Sequence, residues 1–284
     1  MYLRKTYLIL TCSFLLGTSC NNKSNGKSST EFKNPTNKVI LRSEIVWEKL
    51  NPARGDQSPQ AGTIWGDRNG TEATGFLAKF ADGFSSPPHT HNVTYRAVVL
   101  KGLVHNDDPK ADNMWMKPGS FWTQPQGESH ITSAKGEENI ALVEIDHGPY
   151  LVKPIDEAFD NGERPVNIDA SNIFWLGSNK TNWVDEKSDA EISFLWKSKN
   201  SKGLFVKLPI GFIGTVYSDG NVFRSVIING EINYKMPHTE EIKTLDAGSY
   251  FTSSDMATHT IANTSNSESV IYIRTNGNIK VLQK

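Results

Sequence analysis

Residues 83–102 read Gly83-Phe-Ser-Ser-Pro-Pro-His-Thr-His-Asn-Val-Thr-Tyr-Arg-Ala-Val-Val-Leu-Lys-Gly102. The two adjacent prolines cannot donate ladder hydrogen bonds, so they suit the edge or the first residues of a strand. Side chains two positions apart lie on one face of a strand. His89 and His91 therefore point to the same side, and the same parity sends Tyr95 inward. The stretch predicts a β-strand that carries two metal-ligating side chains into the interior of a sheet protein.

A second segment supplies a third histidine from a neighbouring strand. It reads Gly119-Ser-Phe-Trp-Thr-Gln-Pro-Gln-Gly-Glu-Ser-His130. Three imidazoles suit Zn, Fe(II), Cu or Ni and leave coordination positions open for water or substrate. We therefore predict a divalent metal ion, Zn or Fe(II), at His89, His91 and His130. The alternative is that these are three buried histidines in an inert barrel.

Short apolar runs fill the rest of the body and predict an all-β protein. Aromatic and β-branched residues crowd these runs, and Gly, Pro, Asn and Asp separate them. Segments with helical spacing are scarce. Many short strands at close intervals indicate a barrel or a sandwich. Examples of the runs are Gly75-Phe-Leu-Ala-Lys-Phe80, Ala97-Val-Val-Leu100, Ile140-Ala-Leu-Val-Glu-Ile145 and Val270-Ile-Tyr-Ile273.

The chain also resembles itself at a spacing of 128 residues. Several Gly, Trp and Arg positions match in one register, which indicates two copies of one β-domain. We predict a first domain over 40–158 and a second over 165–284, with a turn-rich linker between them. The matched pairs are Trp47 and Trp175, Gly75 and Gly203, Gly83 and Gly211, Arg96 and Arg224, Gly102 and Gly230, and, with one inserted residue, His130 and His259.

The two histidine segments resemble the two conserved motifs of the cupin superfamily, whose members are small β-barrels related to the jelly roll. The resemblance covers nearly all of the body, once in each half, and so implies a bicupin of two tandem jelly-roll-type barrels. It carries over His89, His91 and His130 as metal ligands. The tract Pro87 to Arg96 is similar to ChrR-type cupins, a largely uncharacterised group named for a zinc-binding anti-sigma factor. Cupins often pair through edge strands, so a homodimer is also implied.

Two positions depart from the cupin pattern. The usual carboxylate ligand of the first motif falls on Tyr95, and the usual Asn after the third histidine falls on Ala134. Without that carboxylate, three neutral histidines would leave a +2 charge for an anionic bidentate substrate to neutralise. Tyr95 is the predicted catalytic residue, with three roles open to it. It could be a weak ligand, a hydrogen-bond donor to bound substrate, or packing of the cavity wall.

The second copy is predicted to have lost its metal. Tyr217 and Asp219 stand where the first copy has its paired histidines, and Phe223 stands at the position of Tyr95. Only His259 is retained, and one His with one Asp is a poor metal site. We expect this barrel to have a structural or ligand-shaping role.

For residues outside the three histidines, the sequence predicts positions on the surface, in loops, at the cavity rim or in the core. Glu144 is expected on the surface, because it is a single carboxylate on an alternating strand. His105 is expected in a loop or on the surface, and Trp115 at the rim of the cavity. The aromatic residues around the first site, Phe80, Phe84, Phe121 and Trp122, are expected either to pack the core or to form an apolar mouth that keeps the site dry.

The first twenty residues resemble a bacterial lipoprotein signal. A short basic head is followed by an apolar run too short to span a bilayer, then by small residues leading to Cys20. We expect residues 1–19 to be removed, Cys20 to carry the lipid anchor, and residues 20–39 to form a flexible tether. An ordinary secretory signal is the alternative. The predicted location is the periplasmic side of the cell membrane or the outer membrane.

The charge balance and the cysteine count argue against several classes of function. The chain has 284 residues, with 30 basic and 31 acidic side chains and a formal charge of −1. No basic excess is available to neutralise a phosphate backbone, so we predict no nucleic-acid partner. Of the two cysteines, Cys12 leaves with the signal and Cys20 carries lipid. Neither catalysis by cysteine nor a disulfide is expected.

Two functions follow from these patterns. The first is an exported metal-dependent enzyme, either an oxidoreductase like the cupin dioxygenases or an isomerase or lyase, acting on a small anionic or sugar-derived substrate. The second is a non-catalytic zinc- or ligand-binding lipoprotein with an accessory or sensing role, serving carbohydrate utilisation. Fold alone does not choose between them.

Overall fold

A computed structural model describes residues 35–284 of the chain. The predicted signal segment and Cys20 lie outside the described residues. Among the described residues, no helix is long and apolar enough to cross a membrane.

Residues 35–284 form twenty β-strands and four short 3₁₀ helices, and this confirms the all-β prediction. The strands of the first part of the chain are β1 (Lys38–Ile40), β2 (Glu48–Lys49), β3 (Gln60–Trp65), β4 (Thr74–Phe80), β5 (His89–His91), β6 (Tyr95–Asp107), β7 (Phe121–Gln124), β8 (Ile131–Ile145) and β9 (Val152–Pro154). Those of the second are β10 (Val166–Ile168), β11 (Glu191–Lys197), β12 (Lys202–Leu208), β13 (Ile213–Ser218), β14 (Phe223–Asn229), β15 (Glu231–Lys235), β16 (Ile242–Asp246), β17 (Tyr250–Ser253), β18 (Ala257–Ala262), β19 (Ser269–Thr275) and β20 (Ile279–Gln283). The 3₁₀ helices are Arg42–Glu44, Pro52–Gln57, Ile155–Glu157 and Ala170–Asn172.

The strands assemble into antiparallel sheets that do not close into barrels. In the first half, one sheet has the order β10-β7-β6-β8-β4-β3-β2, and a small sheet pairs β5 with β9. The second half is a sandwich of β1-β17-β14-β19-β12-β11 on β16-β15-β18-β13-β20. The two longest strands, β6 and β8, contain register shifts in their pairing, which let them bend around the first half.

The first strand of each half pairs with a sheet of the other half. Strand β1 pairs with β17 of the second half, and β10 pairs with β7 of the first half. The two strands occupy equivalent positions of the 128-residue repeat, because Lys38 matches Val166. The exchange was not foreseen from the sequence. Residues 38 and 39, placed in the expected tether, lie in a strand, and the domain boundaries themselves stay a prediction.

The sheets enclose three apolar cores. One lies within each half, and the third lies between the seven-stranded and six-stranded sheets. Alternation along β4 sends Phe76 into the core of the first half and Leu77 into the core between the halves. A strand buried on both faces reads as a continuous apolar run, as in the stretch 97–100.

The core between the halves also contains a buried ionic network. The Tyr272 hydroxyl donates to Glu144 at 2.7 Å, and Arg274 donates to Asp146 at 2.7 Å. Glu144 lies opposite Gly75 and Arg96 in its sheet, and Arg274 lies opposite their repeat counterparts Gly203 and Arg224. Glu144 and Arg274 contact each other at 3.4 Å. Equivalent positions therefore face each other across this interface. Glu144 is 1% exposed, so its expected place on the surface was wrong.

Candidate metal centre

Strand β5 and the residue before β8 bring three histidines together. The backbone N–H of His89 donates to the carbonyl of His130 at 3.0 Å, and the N–H of His130 donates to His89 at 3.0 Å. This reciprocal pair places the two residues directly opposite each other. His91 lies two positions along the same strand. One potential ligand atom from each of the three lies within 4.8 Å of the others.

The backbone fixes the orientation of every one of these rings. The Nδ1 atom of His91 lies 3.0 Å from the carbonyl of Leu151, and that of His130 lies 3.2 Å from the carbonyl of Glu128. The Nδ1 atom of His89 lies 3.0 Å from the carbonyl of Pro87. A carbonyl only accepts, so each Nδ1 carries the proton and donates it. Each Nε2 is then left with a lone pair, which is the form a metal ion requires.

Burial keeps the three rings neutral. His91 is 2% exposed and His130 is 1% exposed. Desolvation, followed by repulsion from His89, lowers the pKa of His91 to about 3. Desolvation likewise lowers the pKa of His130 well below its usual value and lowers that of His89. A buried group of neutral nitrogen donors fits a borderline divalent cation such as Zn or Fe(II).

Tyr95 lies beside this cluster, with its hydroxyl 3.4 Å from Nε2 of His130. That hydroxyl donates to the Oδ1 atom of Asn106 at 2.9 Å, and Trp122 donates to it at 3.5 Å. Asn106 is held in turn by Thr132, which donates to the same oxygen at 2.7 Å. Burial raises the pKa of Tyr95, so the phenol stays protonated. The catalytic role of Tyr95 stays a prediction.

Tyr150 is a second phenol at the centre, and the sequence did not point to it. Its hydroxyl lies 3.3 Å from Nε2 of His91, and its ring stacks on the imidazole with centroids 4.6 Å apart. Asn92 holds this segment in place. Its amide donates to the Pro149 carbonyl at 2.9 Å, and its Oδ1 accepts from the N–H of Leu151 at 2.9 Å. The residue after His91 thus positions the carbonyl that orients His91.

The cluster opens into a cavity of about 340 Å³. His89, His91 and both tyrosines line it, and most of the remaining wall is apolar. Among the described residues that line it, none is a carboxylate. The apolar part of the lining consists of Leu50, Pro59, Phe76, Ala78, Phe80, Phe84, Pro87, Trp122, Val143 and Val152.

The structure places Trp115 and His105 differently from the sequence-based expectation. Trp115 does not line the cavity but packs against His105, with ring centroids 6.0 Å apart. His105 is fully buried rather than on the surface, because β6 is covered on both faces. Phe121 points into the core between the halves. Phe80, Phe84 and Trp122 do form part of the cavity wall.

The family model described as "Domain of unknown function (DUF4437)" matches residues 38–282. The chain belongs to the DUF4437 family. No curated protein matches this DUF4437 chain.

Solved structures show the fold of the DUF4437 chain to be that of the two-domain cupins. A candidate dioxygenase from Nostoc punctiforme is 12% identical, with a TM-score of 0.65 over 90% of this chain and 89% of its own. The formate complex of Lactobacillus farciminis oxalate decarboxylase is 10% identical, with a TM-score of 0.57 over 89% and 90%. AerE from Microcystis aeruginosa is 14% identical, with a TM-score of 0.51 over 88% and 98%. At these identities the likeness concerns the fold alone. The predicted bicupin fold is confirmed.

In the second half of the DUF4437 chain, His259, the counterpart of His130, lies inside the core. The Tyr234 hydroxyl lies 2.8 Å from Nδ1 of His259, and the Ser253 hydroxyl lies 3.2 Å from Nε2. The Phe223 ring stacks on the imidazole at 4.3 Å. Asp219 accepts hydrogen bonds from Asn278 instead of approaching the histidine. Within residues 35–284, the histidine group of the first half is the one set of three side chains placed to hold an ion.

Proposed function

We propose that this protein is a metal-dependent oxidoreductase whose three-histidine centre binds a small anionic organic substrate. The observation that carries the proposal is the common state of His89, His91 and His130. All three are neutral, all three donate from Nδ1 to a backbone carbonyl, and one potential ligand atom of each lies within 4.8 Å of the others, next to the cavity that His89 and His91 line. These residues would hold one divalent ion, Zn or Fe(II). The ion would serve as a Lewis acid and as a template for the substrate.

The charge of such a site favours an anionic substrate. Three neutral ligands leave the charge of a divalent ion uncompensated, and no carboxylate lines the cavity among the described residues. In an apolar surrounding, the attraction between an ion and an anion is stronger than in water. Tyr95 and Tyr150 are neutral phenols beside the centre. The Tyr150 hydroxyl is placed to donate a hydrogen bond to an oxygen bound there.

The lining of the cavity also favours oxidative chemistry over isomerisation of a sugar derivative. Isomerisation by proton transfer uses a base whose pKa lies near the working pH. In the described part of the chain the cavity wall offers no carboxylate, and burial raises the pKa of its two phenols, Tyr95 and Tyr150. Sugar hydroxyls buried against apolar walls would lose their hydrogen bonds with water without replacement. The structural likeness to a candidate dioxygenase supports the same choice.

Oxygen uptake tests the proposal. The purified full-length chain, loaded with Fe(II), is expected to consume oxygen with at least one member of a panel of 2-oxo acids, diketones and catechols. The His91→Ala variant should lose this uptake, whereas the variant of an exposed histidine, His147→Ala, should keep it. Tight zinc binding without turnover on any substrate would favour the alternative, a ligand-binding protein of the ChrR-like kind suggested by the sequence.

We also propose that the protein is exported and anchored by lipid on Cys20, on the periplasmic side of a membrane. The proposal rests on the order of basic, apolar and small residues before Cys20. A stable anchor needs more than one acyl chain, and a lipoprotein cysteine supplies it. The wild-type chain should partition into the detergent phase, and Cys20→Ser should partition into water. Equal partitioning of the two would contradict the anchor.

A further inference from the structure

An unpaired cation lies at the wall of the apolar cavity. Arg54 belongs to the 3₁₀ segment Pro52–Gln57, and its guanidinium carbon lies 5.0 Å from the centre of the Phe84 ring. The Phe84 ring packs on Phe80 at 5.2 Å. Both aromatic side chains and Arg54 line the cavity together with His89 and His91.

Nothing in the described part of the chain neutralises this guanidinium. None of the ion pairs there includes Arg54, and its side chain makes no hydrogen bond within residues 35–284. The neighbouring Lys49, by contrast, pairs with Asp56 at 3.1 Å. The cavity therefore combines two positive features, Arg54 and the proposed ion, with walls that are largely apolar.

We infer that the substrate is an organic anion with an apolar, aromatic-sized body, whose oxyanion end binds at the histidines and which Arg54 draws into the cavity. This inference rests on the proposed function and names its substrate class. Small, strongly hydrated anions would lose water at these walls and gain no apolar contact in return. An amphipathic anion buries its body against Phe80, Phe84 and Trp122 while its charge meets the ion.

The probes for a test share one kind of head group and differ in the body. Benzoylformate and pyruvate are both 2-oxo acids that chelate through two oxygens, but only the first carries a phenyl ring. The full-length chain loaded with Co(II) reports each binding event through its visible spectrum. Benzoylformate should bind at least about tenfold more tightly than pyruvate, as expected for burial of a phenyl group.

Arg54 is tested through the rate of association. Arg54→Ala should slow the association of benzoylformate severalfold at low salt. The difference from wild type should disappear near about 0.5 M NaCl, because salt screens exposed charges. Lys49→Ala removes an exposed cation of the preceding strand, β2, that does not line the cavity, and it should associate at the wild-type rate.

The results of these binding experiments distinguish a failure of the inferred substrate class from a failure of the proposed metal-dependent function. A chain that binds no Co(II) overturns the proposed function, and this inference with it. A chain that binds Co(II) but binds pyruvate as tightly as benzoylformate, or gives no spectral response to either probe, overturns the inference alone. Arg54→Ala associating as fast as wild type at low salt overturns the part given to Arg54.

Discussion

At the scale of the residue, the centre is oriented by backbone carbonyls. The Nδ1 protons of His89, His91 and His130 all go to main-chain oxygens. The metal affinity of the site therefore depends on the side chains that hold those carbonyls in position. Asn92 is the clearest of them, because it donates to the Pro149 carbonyl and accepts from the N–H of Leu151, the residue whose carbonyl orients His91. Such outer partners typically change metal affinity by about 10- to 100-fold.

Asn92→Ala should lower the affinity for Co(II) or Zn by about tenfold, since the Leu151 carbonyl loses its support. Competition with a chromophoric chelator measures this affinity. Asn113→Ala replaces an exposed asparagine of the same half and should leave the affinity unchanged. Equal affinity in the two variants would show that the carbonyl of Leu151 does not depend on Asn92.

Tyr150→Phe keeps the ring that stacks on His91 and removes only the hydroxyl. We expect metal affinity to be retained and the affinity for benzoylformate to fall by about fivefold, the usual worth of one hydrogen bond. Titration of the Co(II) spectrum provides both numbers. Tyr217→Phe removes a hydroxyl in the second half and serves as the control. A large loss of metal affinity in Tyr150→Phe would instead make this tyrosine a ligand.

The sequence could predict the three histidines as one site because their spacing determines which side chains share a face of the sheet. Strand parity places His89 with His91, and a recognisable second segment supplies His130. Tyr150 has no such spacing, since it reaches His91 through a turn after β8 that only the folded chain defines. Glu144 was misplaced because its partners, Tyr272 and Arg274, lie in the other half of the chain.

At the scale of the element, the strands at the interface between the halves are covered on both faces. Gly75 of β4 lies against the ring of Trp65, and Gly203 of β12 lies against Trp196. A Cβ at either position would overlap the indole. The repeated glycine is therefore a packing requirement, and the 128-residue match between the two positions has a physical cause.

Gly203→Ala should lower the free energy of unfolding by about 1–3 kcal/mol, because the Trp196 ring must shift in a filled core. Unfolding in urea measures the change. At Gly177 an added Cβ would meet only an ordinary contact with Asn179, so Gly177→Ala should change stability by less than about 1 kcal/mol. Similar losses in both variants would contradict the close approach of Trp196.

The sequence could not predict the exchange of strands between the halves, because the exchanged strands are short. Apolar alternation made the all-β class and the internal repeat visible. The exchange of β1 and β10 depends on strands of three residues each, which are too short to carry a pattern. Pairing partners in the other half decide where such strands lie.

At the scale of the whole molecule, the buried network joins the two halves. Arg274 contacts Glu144 at 3.4 Å and Asp146 at 2.7 Å, and it is 4% exposed. Asp146 also accepts from Arg96 at 3.1 Å, and the Arg96 guanidinium carbon lies 3.8 Å from the centre of the Trp196 ring. Glu144 and Asp146 end or directly follow the strand that leads to Tyr150. The half without a metal group thereby supports the end of the strand that serves the metal centre.

Arg274→Gln should destabilise the protein by about 3–5 kcal/mol, because it removes the cation that contacts the buried carboxyl groups of Glu144 and Asp146. Arg164→Gln breaks an exposed pair with Asp160 and should cost less than about 1 kcal/mol. Unfolding in urea at neutral pH compares the two variants. A small loss in Arg274→Gln would show that the network contributes little to holding the halves together.

The central claim is that three imidazoles bind one metal ion, and X-ray absorption at the metal edge tests it most directly. For the full-length chain loaded with Zn or Co(II), the spectrum should show three imidazole nitrogens at about 2.0–2.1 Å. The count should fall to two in His130→Gln and stay at three in His147→Gln. An ion surrounded by oxygen alone, or an imidazole count that His130→Gln does not change, would contradict the account.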